Sequence, residues 1–314
     1  MTKERILGIH NLSVVVPEEQ GHPEISILNG INLYLKKDEH VGIIGGSGSG
    51  KSVLMNAIIK SLQEPLVIKS GEVVLGSENI LTMKHDQLNN KVLGKRIASI
   101  CPNPNWRLDP IEPVGEQVKN IYLSHFKVKE AEARTRVLEL FNMVGIPDAT
   151  TRYNAFSHEL SGGMAQRVLI TMALICEPEV LLADEPTGGL DVTIQMQVFD
   201  LILRLIREKQ RSIIIASRDI GLIYHLCNHI YVLKEGRIVE AGNIKDVIQN
   251  PIHPYTCKLI KLSESNYKIR RSQEYMDLLQ TTDNKYYKLC EENAAHCKDG
   301  YLMFENEHIV RVCK

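Results

Sequence analysis

One eight-residue segment near the N-terminus constrains the fold more than any other feature of this sequence. Residues 45–52 read GGSGSGKS, a full match to the pattern G-x-x-x-x-G-K-[ST]. A short apolar run, 41–44, precedes the segment, and a helix-compatible run, 52–59, follows it. This is the strand–loop–helix context that the pattern requires. The sequence therefore predicts an α/β fold in which a glycine-rich loop joins a buried strand to a helix.

The residue types in this loop are suited to holding phosphate. Glycines let the backbone turn its N–H groups toward phosphate oxygens, and the start of the helix adds further free N–H groups. Lys51 is predicted to reach the β- and γ-phosphates of ATP, and the Ser52 hydroxyl to bind Mg²⁺. The predicted ATP-binding residues are Gly45, Gly46, Ser47, Gly48, Ser49, Gly50, Lys51 and Ser52.

Length, charge and hydropathy restrict the class of protein. The chain has 314 residues, enough for one large domain and a smaller one, and a net charge of −1, which gives no electrostatic reason to expect nucleic acid as a partner. Apolar runs stay short of the roughly 18 residues that a transmembrane helix needs, and the N-terminus lacks a signal-peptide pattern. We therefore expect a cytoplasmic protein that contacts a membrane only through partner subunits.

Hydrophobic patterning predicts three regions along the chain. Residues 5–44 alternate apolar and polar positions, which indicates antiparallel strands. Residues 115–177 have helical spacing, and from 180 to 233 strands alternate with helices. Such alternation predicts a largely parallel sheet with helices on both faces. The helical region is then an insertion between the phosphate-binding loop and the next strand of the core.

Two carboxylates end the apolar run 180–183. A carboxylate at the carboxyl end of a buried strand, beside a phosphate-binding loop, is placed to hold Mg²⁺. Asp184 is therefore the predicted metal ligand together with Ser52. The adjacent Glu185 is predicted to be catalytic, as the base that polarises the attacking water.

The segment 160–167, LSGGMAQR, resembles the signature motif of ATP-binding-cassette (ABC) proteins. Ser161, Gly162 and Gly163 form a second anion-binding helix start, and Met164 stands where the family usually has Gln. The resemblance implies that this motif acts in trans, on the γ-phosphate bound by an opposing subunit. One chain would thus carry two phosphate-binding devices that serve two different sites.

Two further motifs narrow the resemblance. Residues 188–191, GGLD, resemble the family's D-loop, which identifies Asp191 as the D-loop aspartate. Residues 251–256, PIHPYT, are similar to the P-x-H-P-Y-T hallmark of ATP-binding subunits of oligopeptide, dipeptide and nickel importers. The resemblance covers about residues 5–257 and, more weakly, the tail to 314.

The resemblance implies an architecture and an assembly. The fold would be an α/β P-loop NTPase, the ABC nucleotide-binding domain, over 1–256, with a RecA-like core sheet, an N-terminal antiparallel β subdomain and a helical subdomain inserted at about 103–177. Residues 257–314 would form a small C-terminal extension. ATP and Mg²⁺ would be bound. The implied partners are a second ABC ATPase subunit, two transmembrane permease subunits at the cytoplasmic face of the membrane and, indirectly, an extracytoplasmic solute-binding protein.

The sequence departs from the family where hydrolysis is performed. Arg218 stands where the family has a histidine that contacts the γ-phosphate; an arginine could bind phosphate but is always charged, so it cannot act as an acid or base. Pro102 occupies the position of the Q-loop glutamine and offers neither an amide nor a backbone N–H. Residues 14–16, all valine, lack the aromatic expected to stack on adenine.

These departures suggest an asymmetric pair of ATPase subunits. This chain's own loop would bind ATP and turn it over slowly, while its intact signature motif would complete the partner's site. One alternative is a non-hydrolysing regulatory subunit that binds ATP only to complete its partner. Another is a soluble cassette ATPase of DNA repair or translation, against which the motif at 251–256 argues.

Two features have alternative interpretations: a tryptophan in the segment that faces the permease in this family, and three cysteines at the family's iron–sulfur positions. In the segment 103–113, which faces the permease in this family, Trp106 could anchor a partner helix or pack within the helical subdomain. Cys290, Cys297 and Cys313 match three of the four iron–sulfur ligands of some relatives, with Asn284 at the remaining position. They could hold a cluster with a non-cysteine fourth ligand, or hold none.

Overall fold

The computed structural model describes residues 4–19, 21–102, 107–208, 211–264, 301–303 and 308–311. Within them the elements run in chain order: β1 (Arg5–Val16), β2 (Ile25–Lys36), β3 (His40–Ile44), α1 (Lys51–Ile58), β4 (Val67–Leu75), β5 (Glu78–Asn79), α2 (His85–Lys91), β6 (Ile97–Ile100), α3 (Val114–His125), α4 (Glu130–Met143), α5 (Ala149–Tyr153), α6 (Gly162–Leu174), β7 (Val180–Asp184), α7 (Val192–Glu208), β8 (Ser212–Ser217), α8 (Ile220–Leu226), β9 (His229–Lys234), β10 (Arg237–Asn243), α9 (Ile244–Gln249), α10 (Pro254–Glu264), β11 (Tyr301–Met303) and β12 (Ile309–Arg311).

These elements form two compact units. The first consists of Met1–Leu81 and Ile215–Lys314, and the second of Thr82–Ile214. Strand β8 carries the chain from the second unit back into the first. The predicted boundary between an ATPase domain and an extension at 256/257 stays a prediction.

In the first unit, the predicted antiparallel strands are confirmed. The strand order is β2-β1-β4-β5, and each neighbouring pair is antiparallel. Alternate side chains of β1 are fully buried, Leu7 and Ile9 before the register shift between Ile9 and Leu12, and Leu12 and Val14 after it. Their burial follows from the period-two pattern that predicted the strand. Strand β3 also lies in the alternating region 5–44, but it pairs with β9 and not with these four strands.

The second group of strands in the first unit is mixed. Strand β3 pairs in parallel with β9, from Val41 opposite His229 to Ile44 opposite Val232. Strands β9 and β10 form an antiparallel hairpin, and β12 and β11 extend it, also antiparallel. The hairpin turn at Glu235 and Gly236 has φ of +47° and +71°, the left-handed pair that tight two-residue turns need. Strands β3 and β9 thus show the expected parallel pairing, and the β9–β10 hairpin with β12 and β11 adds antiparallel strands beside them.

The second unit combines parallel strands with the predicted helical region. Strands β6 and β7 are parallel, and helices α3 to α6 fill residues 114–174 as expected. Helix α4 ends where Gly145 takes φ +77°, a left-handed stop that glycine accepts without strain. Two arginines cap its last carbonyls: Arg204 donates to Met143 O at 2.7 Å, and Arg167 donates to Val144 O.

None of the described helices combines the length and the apolar character that crossing a membrane requires.

Candidate nucleotide-binding site

The glycine-rich loop lies between β3 and α1, as the sequence predicts. Gly48 and Gly50 have φ of +74° and +104°, which L side chains rarely adopt, so glycine is needed at both positions. Gly50 is the N-cap of α1, and no side chain caps the first turn of this helix. The backbone N–H groups of that turn are therefore left for an anion, as in other phosphate-binding loops.

The β9–β10 hairpin supports this loop within the first unit. Gly236 N donates to Ser49 O at 3.0 Å. A Cβ on Gly45 would lie 2.3 Å from Leu233 O, and one on Gly236 would lie 2.0 Å from Ile27 O. Side chains at either glycine would push backbone segments apart. The loop conformation therefore depends on close packing as well as on its own sequence.

Lys51 is buried, at 7% exposure, and contacts its own loop. Its ammonium donates to Gly45 O at 2.7 Å and to Gly46 O at 3.2 Å. Ser49 Oγ is buried and has no hydrogen-bond partner within the described part of the chain. These three features fit a polyphosphate. Its oxygens would offer Lys51 stronger charge-assisted bonds than the loop carbonyls do, and they would accept from the Ser49 hydroxyl and from the uncapped N–H groups of α1.

In the second unit, the two predicted carboxylates lie at the end of a fully buried strand, Asp184 within it and Glu185 directly after it. Every residue of β7 is buried, and Asp184, its last residue, is 6% exposed. Glu185 has φ +42°, a left-handed conformation that is strained for a residue with a side chain. Its carbonyl accepts from Gly188 N at 2.8 Å. Strain of this kind concentrates at functional sites, where the surrounding structure enforces it.

The predicted signature motif and the predicted D-loop also lie in the second unit and contact each other. Ser161 Oγ accepts from Met164 N at 3.3 Å and so caps α6. A Cβ on Gly162 would lie 3.3 Å from Leu190 Cδ2 of the D-loop segment. Asp191 in turn caps α7, because its Oδ1 accepts from Ile194 N at 3.0 Å. The sequence motifs thus coincide with two helix starts packed side by side.

The residues that depart from the family, Pro102, Arg218 and Val16, do not have positive φ angles. Pro102 lies in a bend after β6 and is partly exposed. Arg218 is exposed between β8 and α8, and Asp219 beside it caps α8, with Oδ1 accepting from Leu222 N at 3.0 Å. Val16, at the end of β1, pairs with Ile25 of β2.

Several predicted features lie outside the described residues. These are Trp106 and the cysteine set Cys290, Cys297 and Cys313. Among the residues that are described, no group of three or more His, Cys, Asp or Glu side chains could hold a metal ion.

Tyr255 contacts the phosphate-binding loop, which the sequence reasoning missed. Its hydroxyl accepts from Gly46 N at 2.8 Å, across 209 residues of chain. Tyr255 belongs to the PIHPYT segment, which served only as a mark of the family in the sequence. The motif could have marked Tyr255 as a functional residue. A motif alone does not reveal which distant backbone group its side chains contact.

Glu240 of β10 organises the segment that carries Tyr255. Its carboxylate is fully buried and accepts from Ile252 N at 2.9 Å, His253 N at 3.0 Å and His308 Nε2 at 2.7 Å. His253 Nδ1 accepts from Tyr255 N at 3.1 Å. Buried carboxylates are tolerated when several donors satisfy them, and here three do so.

Burial makes His253 a pH-sensitive element of this network. The pKa of His253 is lowered to about 4, chiefly by desolvation; Glu240 opposes this shift, and the positive charges of Lys234 and Arg311 contribute to it. The folded state therefore resists protonation, whereas unfolded histidine binds a proton below about pH 6.5. We predict that the free energy of unfolding falls as pH drops from about 6.5 to 4, with a contribution of up to about 3 kcal/mol.

Urea unfolding of wild type and His253→Gln at pH 7.5 and pH 5 tests this prediction. Glutamine can still accept from Tyr255 N but does not titrate, so the variant should lose less stability between the two pH values. Equal losses in both proteins would contradict the assignment.

The comparisons with known proteins agree with the motifs. Residues 28–188 match the model of the ABC transporter family. The chain is 38% identical over 257 residues to the oligopeptide transport ATP-binding protein OppD of Bacillus subtilis, which covers 82% of this chain and 71% of OppD. It is 36% identical over 261 residues to the dipeptide transport ATP-binding protein DppD of Lactococcus lactis, covering 83% of this chain and 74% of DppD.

Solved structures support the same fold. A dimeric post-hydrolysis structure of the ATP-binding cassette MJ0796 with ADP and phosphate superimposes with a TM-score of 0.67 at 27% identity, covering 76% of this chain and 98% of the cassette. For cbiO1 of Clostridium perfringens, part of a cbiONQ transporter, the TM-score is 0.64 at 27% identity, covering 84% and 97%. With its signature-type helix start and phosphate-binding loop, this chain belongs to the ABC transporter family, as an ATP-binding ATPase subunit similar to the oligopeptide and dipeptide transport ATP-binding proteins.

Proposed function

We propose that this chain powers an importer of peptides or similar small solutes, as one half of an asymmetric pair of ATPase subunits. The observation that carries the proposal is a contrast within one chain. Its signature helix start is intact and capped by Ser161, whereas Pro102 and Arg218 replace the two family side chains that assist hydrolysis. The relatives' names, oligopeptide and dipeptide transport ATP-binding proteins, support a peptide as the transported solute.

On its own loop, the chain would bind ATP and hydrolyse it slowly. Lys51 and the N–H groups at the start of α1 would bind the β- and γ-phosphates. Ser52 and Asp184 would hold Mg²⁺, which neutralises phosphate charge when bound. Glu185 would take a proton from the attacking water, and the bond from the γ-phosphorus to the ADP oxygen would break. Without the glutamine amide and the histidine, the water would be poorly positioned, and Arg218 would contribute at most a phosphate contact.

At the partner's loop, the chain would act in trans. The Ser161 hydroxyl and the N–H groups at the start of α6 would bind the γ-phosphate held by the second ATPase subunit. The residues that this role needs, Ser161, Gly162 and Gly163, match the family's signature motif, and the departure in that motif is Met164 beside them. The faster of the two sites would therefore be built on the partner's phosphate-binding loop.

A loop of the second unit is suited to docking a permease subunit. Ile111, with 84% of its surface exposed, stands at the tip of the described stretch 107–113. Gln117 holds this stretch in place: Oε1 accepts from Asp109 N, and Nε2 donates to Asp109 O, both at 2.9 Å. An exposed apolar side chain on a loop held by these hydrogen bonds suits insertion into a partner's groove. Two permease subunits and a solute-binding protein would complete the importer.

Restoring the missing side chains should speed up this chain's own site. In a complex whose partner ATPase is inactivated at its own general base, we expect Pro102→Gln with Arg218→His to raise ATP turnover at least about tenfold. Release of phosphate measures the rate. The control is Arg152→His, the same replacement on α5. Unchanged turnover in the double variant would contradict a degenerate site.

Peptide import itself is tested by uptake of a radiolabelled tripeptide into cells. Cells that lack this chain should take up less peptide, and wild-type chain should restore uptake while Lys51→Met should not. A deletion that leaves peptide uptake intact, but lowers accumulation of a nickel complex, would move the proposal to a metal-complex importer.

A further inference from the structure

The PIHPYT segment contains a tyrosine that holds the phosphate-binding loop. Both polar groups of the peptide unit between Gly45 and Gly46 are hydrogen-bonded to side chains. Its N–H donates to Tyr255 Oη at 2.8 Å, and its C=O accepts from Lys51 Nζ at 2.7 Å. The same peptide group therefore links Tyr255 to the lysine that must turn toward the phosphates of ATP.

ATP binding changes the demands on this peptide group. When Lys51 leaves Gly45 O for the phosphates, the carbonyl loses a charged donor. The hydrogen bond from Gly46 N to Tyr255 then remains to hold the peptide in its orientation. Because glycines leave the backbone of this loop free to turn, an anchored peptide plane limits how far the N–H groups that follow it can move.

The position of Tyr255 is itself fixed by Glu240. The buried carboxylate accepts from Ile252 N and His253 N, the two residues that lead into α10. It also accepts from His308 Nε2 at 2.7 Å, which lies at the start of the C-terminal strand β12. His308 bonds to Glu240 directly, and Tyr255 is joined to Glu240 through His253. Both therefore belong to one buried hydrogen-bond network, and all its members lie in the first unit.

We propose that Tyr255 is a positioning residue of the phosphate-binding loop, and that Glu240 and His308 connect the C-terminal segment to ATP binding through it. This inference rests on the proposed binding of ATP at residues 45–52. It assigns a role to the P-x-H-P-Y-T segment: the segment lowers the dissociation constant for nucleotide. It also predicts that the tail around His308 tunes nucleotide affinity from a distance.

Binding of the ATP analogue AMP-PNP with Mg²⁺ to the full chain tests the proposal by calorimetry. Tyr255→Phe removes only the acceptor oxygen and should raise the dissociation constant about threefold to tenfold, the usual worth of one hydrogen bond. The control is Tyr224→Phe, a partly buried tyrosine of α8 whose hydroxyl makes no hydrogen bond with the described residues, which should bind as wild type does. In the assembled transporter, Tyr255→Phe should raise KM for ATP and leave kcat within twofold.

A second set of variants tests the route. His308→Ala should weaken binding, and His308→Gln, which can still donate to Glu240, should restore it. In a Tyr255→Phe background, His308→Ala should have no further effect. Gly46→Ala, whose Cβ would lie 3.2 Å from Tyr255 Oη, should cost affinity only when the hydroxyl is present.

The outcomes separate this proposal from the proposed function. Wild-type chain that fails to bind the analogue would refute ATP binding at the loop. Wild-type chain that binds, with Tyr255→Phe binding equally well, would overturn the positioning role alone. Additive effects of Tyr255→Phe and His308→Ala would overturn the route through Glu240.

Discussion

Ser161→Asp is expected to leave the protein folded and to reduce ATP turnover of the assembled transporter at least about a hundredfold. Aspartate is a good N-cap, so it can still accept from Met164 N, and its charge suits the start of α6. The same charge would face the γ-phosphate of the partner's site and repel it. Phosphate release by the complex and thermal unfolding of the chain measure the two effects separately.

The matched variants are Ser161→Asn and Ser161→Ala. Asparagine keeps the cap without the charge, so turnover should fall less than with aspartate. Alanine loses the cap, which should lower the free energy of unfolding by about 1 kcal/mol. Turnover of Ser161→Asp within threefold of wild type would show that this helix start does not face a phosphate in trans.

Lys51→Met is expected to weaken binding of ATP to the isolated chain at least about a hundredfold, because the ammonium supplies charge-assisted bonds to the phosphates. Methionine has a similar unbranched stem, so packing at this buried position should be preserved. Calorimetric titration with AMP-PNP and Mg²⁺ measures the change in dissociation constant.

Lys60→Met is the control for this experiment. Lys60 lies just beyond the far end of α1, is exposed, and donates from its side chain to a backbone carbonyl, that of Leu81, at 2.9 Å. The variant therefore removes a charge and a side-chain bond to a backbone carbonyl, as Lys51→Met does, and nucleotide binding should not change. If Lys51→Met bound ATP as tightly as Lys60→Met, the loop would not be the nucleotide site.

Local patterns predicted the elements that carry the candidate site. The segment 45–52 required a strand before it and a helix after it, and β3 and α1 lie there, with α1 one residue earlier than expected. Gly145 stops α4, because a glycine in the left-handed conformation ends a helix whatever its tertiary surroundings. Signals of this kind act within a few residues, so a sequence reveals them directly.

The remaining features depend on distant contacts. Tyr255 meets Gly46 across 209 residues, and His308 meets Glu240 across 68. No periodicity or spacing encodes which backbone N–H a remote hydroxyl will find. The left-handed conformation of Glu185 was equally hidden, because its side chain disfavours it and only the surrounding turn enforces it.

The sequence pattern also did not predict that β10, β12 and β11 pair antiparallel. Strand alternation from 180 to 233 predicted parallel pairing, and β10, β11 and β12 follow that region. The left-handed turn at Glu235 and Gly236 reverses the chain after β9, so the next strand must be antiparallel. A Glu-Gly pair is a weaker turn signal than Asn-Gly or Asp-Gly.

The central claim is that this chain contributes its signature helix to a fast site and keeps a slow one on its own loop. ATP turnover of the intact, purified transporter, with Glu185→Gln introduced in this chain alone, tests it most directly. The account predicts that more than half of the wild-type turnover remains, because the faster site uses the partner's general base. Near-complete loss of turnover would contradict the account and show that the site with Pro102 and Arg218 is a full hydrolytic centre.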